Sequence, residues 1–284
     1  MKIAAIQLGY TFNQDDNISK CLNYLEIAIK KGAELILFPE LSFSPWVPEI
    51  IDKTNFKYAL TLNSDKLKLF REKSKKHSVV IVLPFFEKDN EISDIHYNSA
   101  VVFDKNGEIA GLYRKIHLPL IPNWEEKYYF KTGNLGFPVI DTSVAKIGIQ
   151  IGWDVFFPES SRILTLKGAE IIISPTASAY SSQPRWQKTI TASAITNTVF
   201  ICRVNRVGKQ HNIEFYGGSF CVMPDGALIS EPAGSSEGIV IWDINLSDIH
   251  EVRRLFPFLK DRVEKEYIEL IGKSYEKTIL GANR

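Results

Sequence analysis

Cysteine is scarce in this 284-residue chain: Cys21, Cys202 and Cys221 are scattered and odd in number. That argues against a disulfide framework and against a cysteine-based metal site. His77, His96, His211 and His250 share no ligand spacing either, so no metal is assigned. No apolar run approaches the roughly 20 residues that a bilayer span requires. Charge is nearly balanced, 34 basic against 33 acidic side chains for a net +1. This gives no support for nucleic acid or an anionic membrane as a partner. Met1 to Leu8 has one charge and no apolar core long enough for export, so the expected location is cytoplasmic. There is no internal repeat, low-complexity tract or linker. The expectation is a single domain over 1–284, in which 247–284 is a helical and then extended tail.

What is present is ordinary globular composition, 45% apolar and 24% charged. Lys2 to Leu8, Glu34 to Phe38 and Val79 to Phe86 read as apolar strands, alternating with helices for which Asp15 and Asp16, and then Ser64, are the expected caps. Asn98 to Phe103 and Ile109 to Tyr113 predict a hairpin around Asp104-Lys-Asn-Gly107. Later strands are expected over Glu170 to Ile173, Val199 to Val204, Gly218 to Met223, Ala227 to Ser230 and Gly238 to Ile241. Pro184 opens a helix with Trp186, Ile190, Ala194 and Asn197 on one face. Strands alternating with helices and then giving way to hairpins predict an α/β fold, a sheet-rich core with helices outside.

The stretch that organises the chain is Lys146-Ile-Gly-Ile-Gln-Ile-Gly-Trp-Asp-Val-Phe-Phe-Pro-Glu159. An apolar strand stops at Gly152 and turns towards a helix, with Pro158 suited to its first turn. Enzymes place nucleophiles at such strand–turn–helix junctions. Here the apex carries no side chain. Glu40, Lys115 and Glu126 stand at or near other strand ends, where sites form in α/β sheets. A buried carboxylate serves as a general base and a lysine holds an oxyanion. From spacing alone, surface charges or a structural ion pair explain them better, since nothing in the linear sequence brings them together.

Phe38-Pro-Glu-Leu41, Tyr113-Arg-Lys-Ile-His-Leu-Pro119 and Ile147 to Glu159 resemble the three signature blocks of the nitrilase superfamily of carbon–nitrogen hydrolases. Glu126-Lys-Tyr-Tyr-Phe130, Asn205-Arg-Val-Gly208 and Phe215-Tyr-Gly-Gly-Ser-Phe220 look most like its N-carbamoylputrescine amidase branch. The resemblance implies a four-layer α-β-β-α sandwich, no cofactor, and a homodimer or larger homo-oligomer with the tail reaching over a partner. It also implies a small amide or carbamoyl substrate, with Glu40 as general base and Lys115 stabilising the oxyanion. Glu126 then supports the lysine, and the Trp153 N–H completes the oxyanion hole. Trp46, Trp124, Trp153, Thr176 and Ala177 are the expected substrate-binding positions, with Tyr180 a further aromatic for the pocket wall.

In the family, the position of Gly152 is the nucleophilic cysteine. With glycine there the covalent route is closed, a loss on the order of 10⁶ in turnover by analogy with nucleophile deletion in another hydrolase. A water activated by Glu40 is one imaginable rescue. Cys202 or Cys221 is another, although both read as buried strand thiols. Either a Cys→Gly change was introduced or the loss is natural, leaving a pseudoenzyme that binds without cutting or a non-catalytic subunit. Intact Glu40, Lys115 and Glu126 favour a recent or introduced loss. Nitrilase activity is the alternative enzymatic reading. His117 and Arg206 read as structural neighbours of the site, and Asn205-Arg-Val-Gly208 as a loop beside it.

Overall fold

A computed structural model describes residues 1–92 and 94–270 of the chain. Its first half runs β1 (Lys2–Gln7), α1 (Gln14–Lys30), β2 (Leu35–Leu37), α2 (Asp65–His77), β3 (Val80–Lys88), β4 (His96–Phe103) and β5 (Ile109–Arg114). A short α3 (Glu126–Tyr129) leads to β6 (Val139–Asp141), β7 (Lys146–Ile149), α4 (Pro158–Leu166), β8 (Ile171–Thr176), α5 (Gln183–Asn197) and β9 (Phe200–Asn205). Then come β10 (Val207–Gln210), β11 (Ile213–Tyr216), β12 (Phe220–Val222), β13 (Gly238–Asp243) and α6 (Ser247–Leu255).

Two sheets form, ordered β13-β1-β2-β3-β4-β5 and β12-β9-β8-β7-β6, with β10-β11 as a separate hairpin. In each, three central strands are parallel: β1, β2 and β3 in one, β7, β8 and β9 in the other. The continuous apolar runs follow from burial on both faces, since alternate side chains of a strand point to opposite sides. Ile3 and Ala5 of β1 join Ile171 and Ile173 of β8 in the core between the sheets. Ala4 and Ile6 turn the other way, onto Ile18 and Leu25 of α1 and Phe70 of α2. Ile172 packs outward with Leu164 of α4 and Ile190 of α5. This is the expected α-β-β-α sandwich.

Several local expectations need correction. The cap of α1 is Asn13, whose Oδ1 accepts from the Asp15 and Asp16 amides at 3.0 and 3.3 Å. The two aspartates sit inside the first turn, where they complement the helix dipole. Asn205-Arg-Val-Gly208, expected to be a loop, ends β9 and runs directly into β10, with Gly208 paired to Phe215 at φ +92°. A glycine with left-handed backbone reads as a break, yet it lets the chain bend within the ladder. Ala227 to Ser230 contributes a single bridge, Leu228 to Val222, in place of a strand. The tail begins as α6, as expected, and its last residues, 271–284, lie outside the described residues. Among the described residues no helix is long and apolar enough to cross a membrane.

Candidate active site

The carboxyl ends of β2, β5, β7 and β8 open on the same cavity, of about 350 Å³. Glu40, just beyond β2, is 1% exposed, and so are Lys115, immediately after β5, and Glu126, the first residue of α3. Lys115 Nζ donates to Glu40 Oε1 at 2.8 Å and to both Glu126 oxygens at 2.7 Å. Glu40 Oε1 also accepts from Asn98 Nδ2 at 2.8 Å, and its Oε2 from the Ala177 amide at 3.0 Å. The bland alternative of surface charges is thereby excluded: the three groups form one buried cluster.

Three further side chains hold that cluster. Asn98, at the carbonyl that accepts from the Lys115 amide, reaches both glutamates, with Glu126 Oε2 at 3.4 Å. Asp154 binds the Ile151 amide at 3.0 Å and the Tyr113 hydroxyl at 2.7 Å, and its other oxygen accepts from the His117 amide at 2.9 Å. It thereby ties the Gly152 turn to the residues flanking Lys115. Arg206 donates Nε to the Glu40 carbonyl at 3.0 Å and Nη2 to the Leu41 carbonyl at 2.6 Å. Leu41 has φ +53°, an uncommon backbone for a branched residue, and the guanidinium pins it there. None of these partnerships is readable from linear spacing.

Gly152 opens a 3₁₀ turn, Gly152–Phe156, which leads to α4 with Pro158 in its first turn. Its φ is +49°, and a Cβ built there would lie 2.6 Å from Glu40 Oε2 and 2.9 Å from Lys115 Nζ. Any side chain at 152 therefore points into the charged cluster, and the carboxylate approaches closer than a side chain would allow. Space for a water in place of a nucleophile is correspondingly reduced.

Two buried carboxylates and one ammonium carry a formal charge of −1. Burial alone would drive the Lys115 ammonium down, and the Glu126 and Glu40 charges reverse that, holding it above the usual lysine value. Burial pushes the Glu126 carboxyl up, to about 8, with the Glu40 charge adding to the rise and Lys115 opposing it. A proton on Glu126 brings the cluster to neutrality. Because that folded value exceeds the ordinary 4.5, the stability it contributes is complete below about pH 4.5 and is lost as pH rises through about 8. Glu126→Gln, which cannot titrate, is expected to reduce the fall in melting temperature between pH 5 and pH 8. An equal or steeper fall in the variant contradicts the raised carboxyl.

The comparison with known sequences decides the family. The carbon–nitrogen hydrolase sequence model matches residues 2–254. The chain belongs to the carbon–nitrogen hydrolase family. It is 34% identical over 288 residues to a citrullinase of Francisella tularensis, covering 96% of this chain and 99% of that one. It is 32% identical over 276 residues to an N-carbamoylputrescine amidase of Solanum tuberosum, covering 92% and 91%. The crystal structure of a carbon–nitrogen hydrolase from Helicobacter pylori G27 superposes with a TM-score of 0.91 at 34% identity, covering 96% of this chain and 99% of that one.

In this carbon–nitrogen hydrolase the remaining positions separate into two groups. Trp124, Trp153 and Ala177 line the cavity. Trp46 and Thr176 do not: Trp46 is 1% exposed, with Nε1 on the Asn123 carbonyl, and Thr176 Oγ1 bonds Asn205. Both lie behind the wall because the strand alternation and loop packing turn them inward. Tyr180 belongs to a separate cavity beside Tyr216. The Ala177 amide is already committed to Glu40. Phe156 from the 3₁₀ turn, Ser181 and Ser182 just before α5, and Arg185 and Trp186 at its start also line it, together with Pro119, Ile121 and Ser178. Cys202 and Cys221 face each other across β9 and β12, Sγ to Sγ 2.9 Å, buried between the sheets and away from Glu40. His117 stacks on Phe157 and bonds Asp154, so it serves the turn.

Proposed function

We propose that this site hydrolyses the C–N bond of a small N-carbamoyl amine or linear amide through a nucleophile at position 152, which the glycine removes. The observation that carries the reading is the direction of the missing side chain. A Cβ at 152 would meet Glu40 Oε2 and Lys115 Nζ together, the acceptor and the cation that a thiol attack requires.

In that scheme a cysteine at 152 gives its proton to Glu40 as sulfur bonds to the carbonyl carbon. The carbonyl electrons move onto oxygen, held by Lys115 and the Trp153 amide. Collapse breaks the C–N bond, and the proton on Glu40 goes to the departing ammonia or amine. Water, deprotonated by Glu40, then cleaves the thioester. For a carbamoyl amine the sum is amine, ammonia and carbon dioxide. Glu126 fixes Lys115 between two carboxylates, so its ammonium needs no rearrangement as the oxyanion forms.

As written, the chain lacks the group that would bond to substrate, and we infer that it binds without efficient turnover. The closeness of Glu40 to Gly152 supports this, because the carboxylate fills part of the space a nucleophile would use. The test is to assay Gly152→Cys for ammonia release from N-carbamoyl amines, linear amides and nitriles. Activity on the first two classes supports the reading. Activity on nitriles alone replaces it with the nitrilase alternative, and a folded but inert protein replaces it with a non-catalytic role.

A further inference from the structure

The cavity has two ends of different character. At the inner end the carboxylates of Glu40 and Glu126 are both bound to Lys115. These two are the only carboxylates lining the cavity among the described residues. The walls are mostly apolar and aromatic, with Pro119, Ile121, Trp124, Trp153, Phe156 and Trp186, and their polar side chains are the neutral hydroxyls of Ser178, Ser181 and Ser182. At the outer end, from the first turn of α5, comes Arg185, which is exposed and has no ion pair or hydrogen bond among the described residues. A guanidinium at the mouth of an aromatic pocket, with no acid to neutralise it, attracts an anion and repels a cation.

Resting on the carbamoyl reading above, we propose that Arg185 selects substrates whose far end is a carboxylate, so that the ligands are ureido acids and not carbamoylated diamines. The distinction matters because the two named relatives point in different directions. N-carbamoylputrescine ends in an ammonium, and no free carboxylate on this wall would pair with it: the inner carboxylates are occupied, and Arg185 opposes it. Citrulline carries a carboxylate at that end, together with an ammonium that can stay in solvent. The planar fork of arginine matches a carboxylate with two parallel N–H donors. The cavity, at about 350 Å³, is at the small end of ligand pockets, which suits a short linear chain reaching from Gly152 to the rim.

Position 152 gives this test an advantage, because the chain as it stands can be studied by binding without turnover. Three ureas of similar length separate the possibilities by calorimetry: neutral N-butylurea, anionic 4-ureidobutyrate and cationic N-carbamoylputrescine. The expected order is 4-ureidobutyrate tightest, roughly tenfold above N-butylurea, the size of one charge-assisted hydrogen bond, with N-carbamoylputrescine weakest. Arg185→Gln is expected to bring the first two together, and Arg185→Glu to place N-carbamoylputrescine first. Arg185 is exposed, so neither change should alter the melting temperature appreciably. Equal affinity for N-butylurea and 4-ureidobutyrate, or a preference that survives Arg185→Gln, overturns the role of Arg185 and leaves the carbamoyl reading standing. Failure of all three ureas to bind overturns both.

Discussion

Gly152→Cys is expected to raise ammonia release from a suitable carbamoyl amine or amide by a factor on the order of 10⁶, the usual scale for presence against absence of a covalent nucleophile. The remainder of the machinery is assembled: Glu40 and Lys115 flank the position, and Asn98, Asp154 and Arg206 hold the three segments that carry it. The same change carries a conformational cost. A left-handed φ of +49° is free for glycine and costs an L-residue about 1–2 kcal/mol. Glu40 must also retreat, because its Oε2 stands 2.6 Å from the new Cβ. The variant should therefore be more active and less stable than its parent, with a lower melting temperature. Strain of this kind at a nucleophile turn is a recognised trade of stability for function. An activity gain below about tenfold in a folded protein that binds its ligands contradicts the covalent mechanism.

Lys115→Met is expected to cost about 3–5 kcal/mol of stability at pH 8, the range for removing one partner of a buried ion cluster. The lysine is 1% exposed and, among the described residues, is the only cation between two buried carboxylates. Without it, Glu40 and Glu126 face each other with Asn98 as their shared donor. One or both must take up a proton, so the deficit should shrink as pH falls towards 5. Carried in the Gly152→Cys background, the same replacement should lower turnover by roughly 10²–10³, as removal of an oxyanion donor does. Equilibrium denaturation at pH 5 and pH 8 measures the first effect. A variant as stable as its parent at both values contradicts the charge balance described above.

The sequence and the structure agree where the controlling physics is local. Ser64 before α2, Pro158 at α4 and the burial of Trp186, Ile190, Ala194 and Asn197 on α5 all follow from capping, fixed φ and helical period. Strand ends carrying Glu40, Lys115 and Gly152 were legible as candidate positions because apolar runs stop there. Their meeting was not, since it depends on how two sheets stack, and only the motif resemblance joined them. Asp154 lies inside the most informative stretch, yet its partners Tyr113 and His117 come from the other sheet's edge. Arg206 looked structural and is so, but its grip on the backbone of Glu40 and Leu41 spans more than 160 residues of chain. Trp46 and Thr176 lie off the cavity wall for a related reason. Nearness to a strand end does not say which face a side chain takes, and one residue reverses it. Arg185 carries no signal in the sequence, because a lone arginine on a helix reads as solvated surface and only the fold sets a cavity beside it.

The reactivity of a thiol placed at 152 tests the central claim without requiring the substrate. Gly152→Cys, treated with iodoacetamide at pH 7, is expected to take up one equivalent at least about tenfold faster than free cysteine, because a base and a cation adjoin the sulfur. The three native thiols supply a slow background, being buried, with the Cys21 thiol pushed up to about 12 and that of Cys221 raised. Glu40→Gln in the same protein should abolish the acceleration. Uptake no faster than that of the parent chain, or a fast reaction indifferent to Glu40, contradicts the assignment of position 152 as the nucleophile's place.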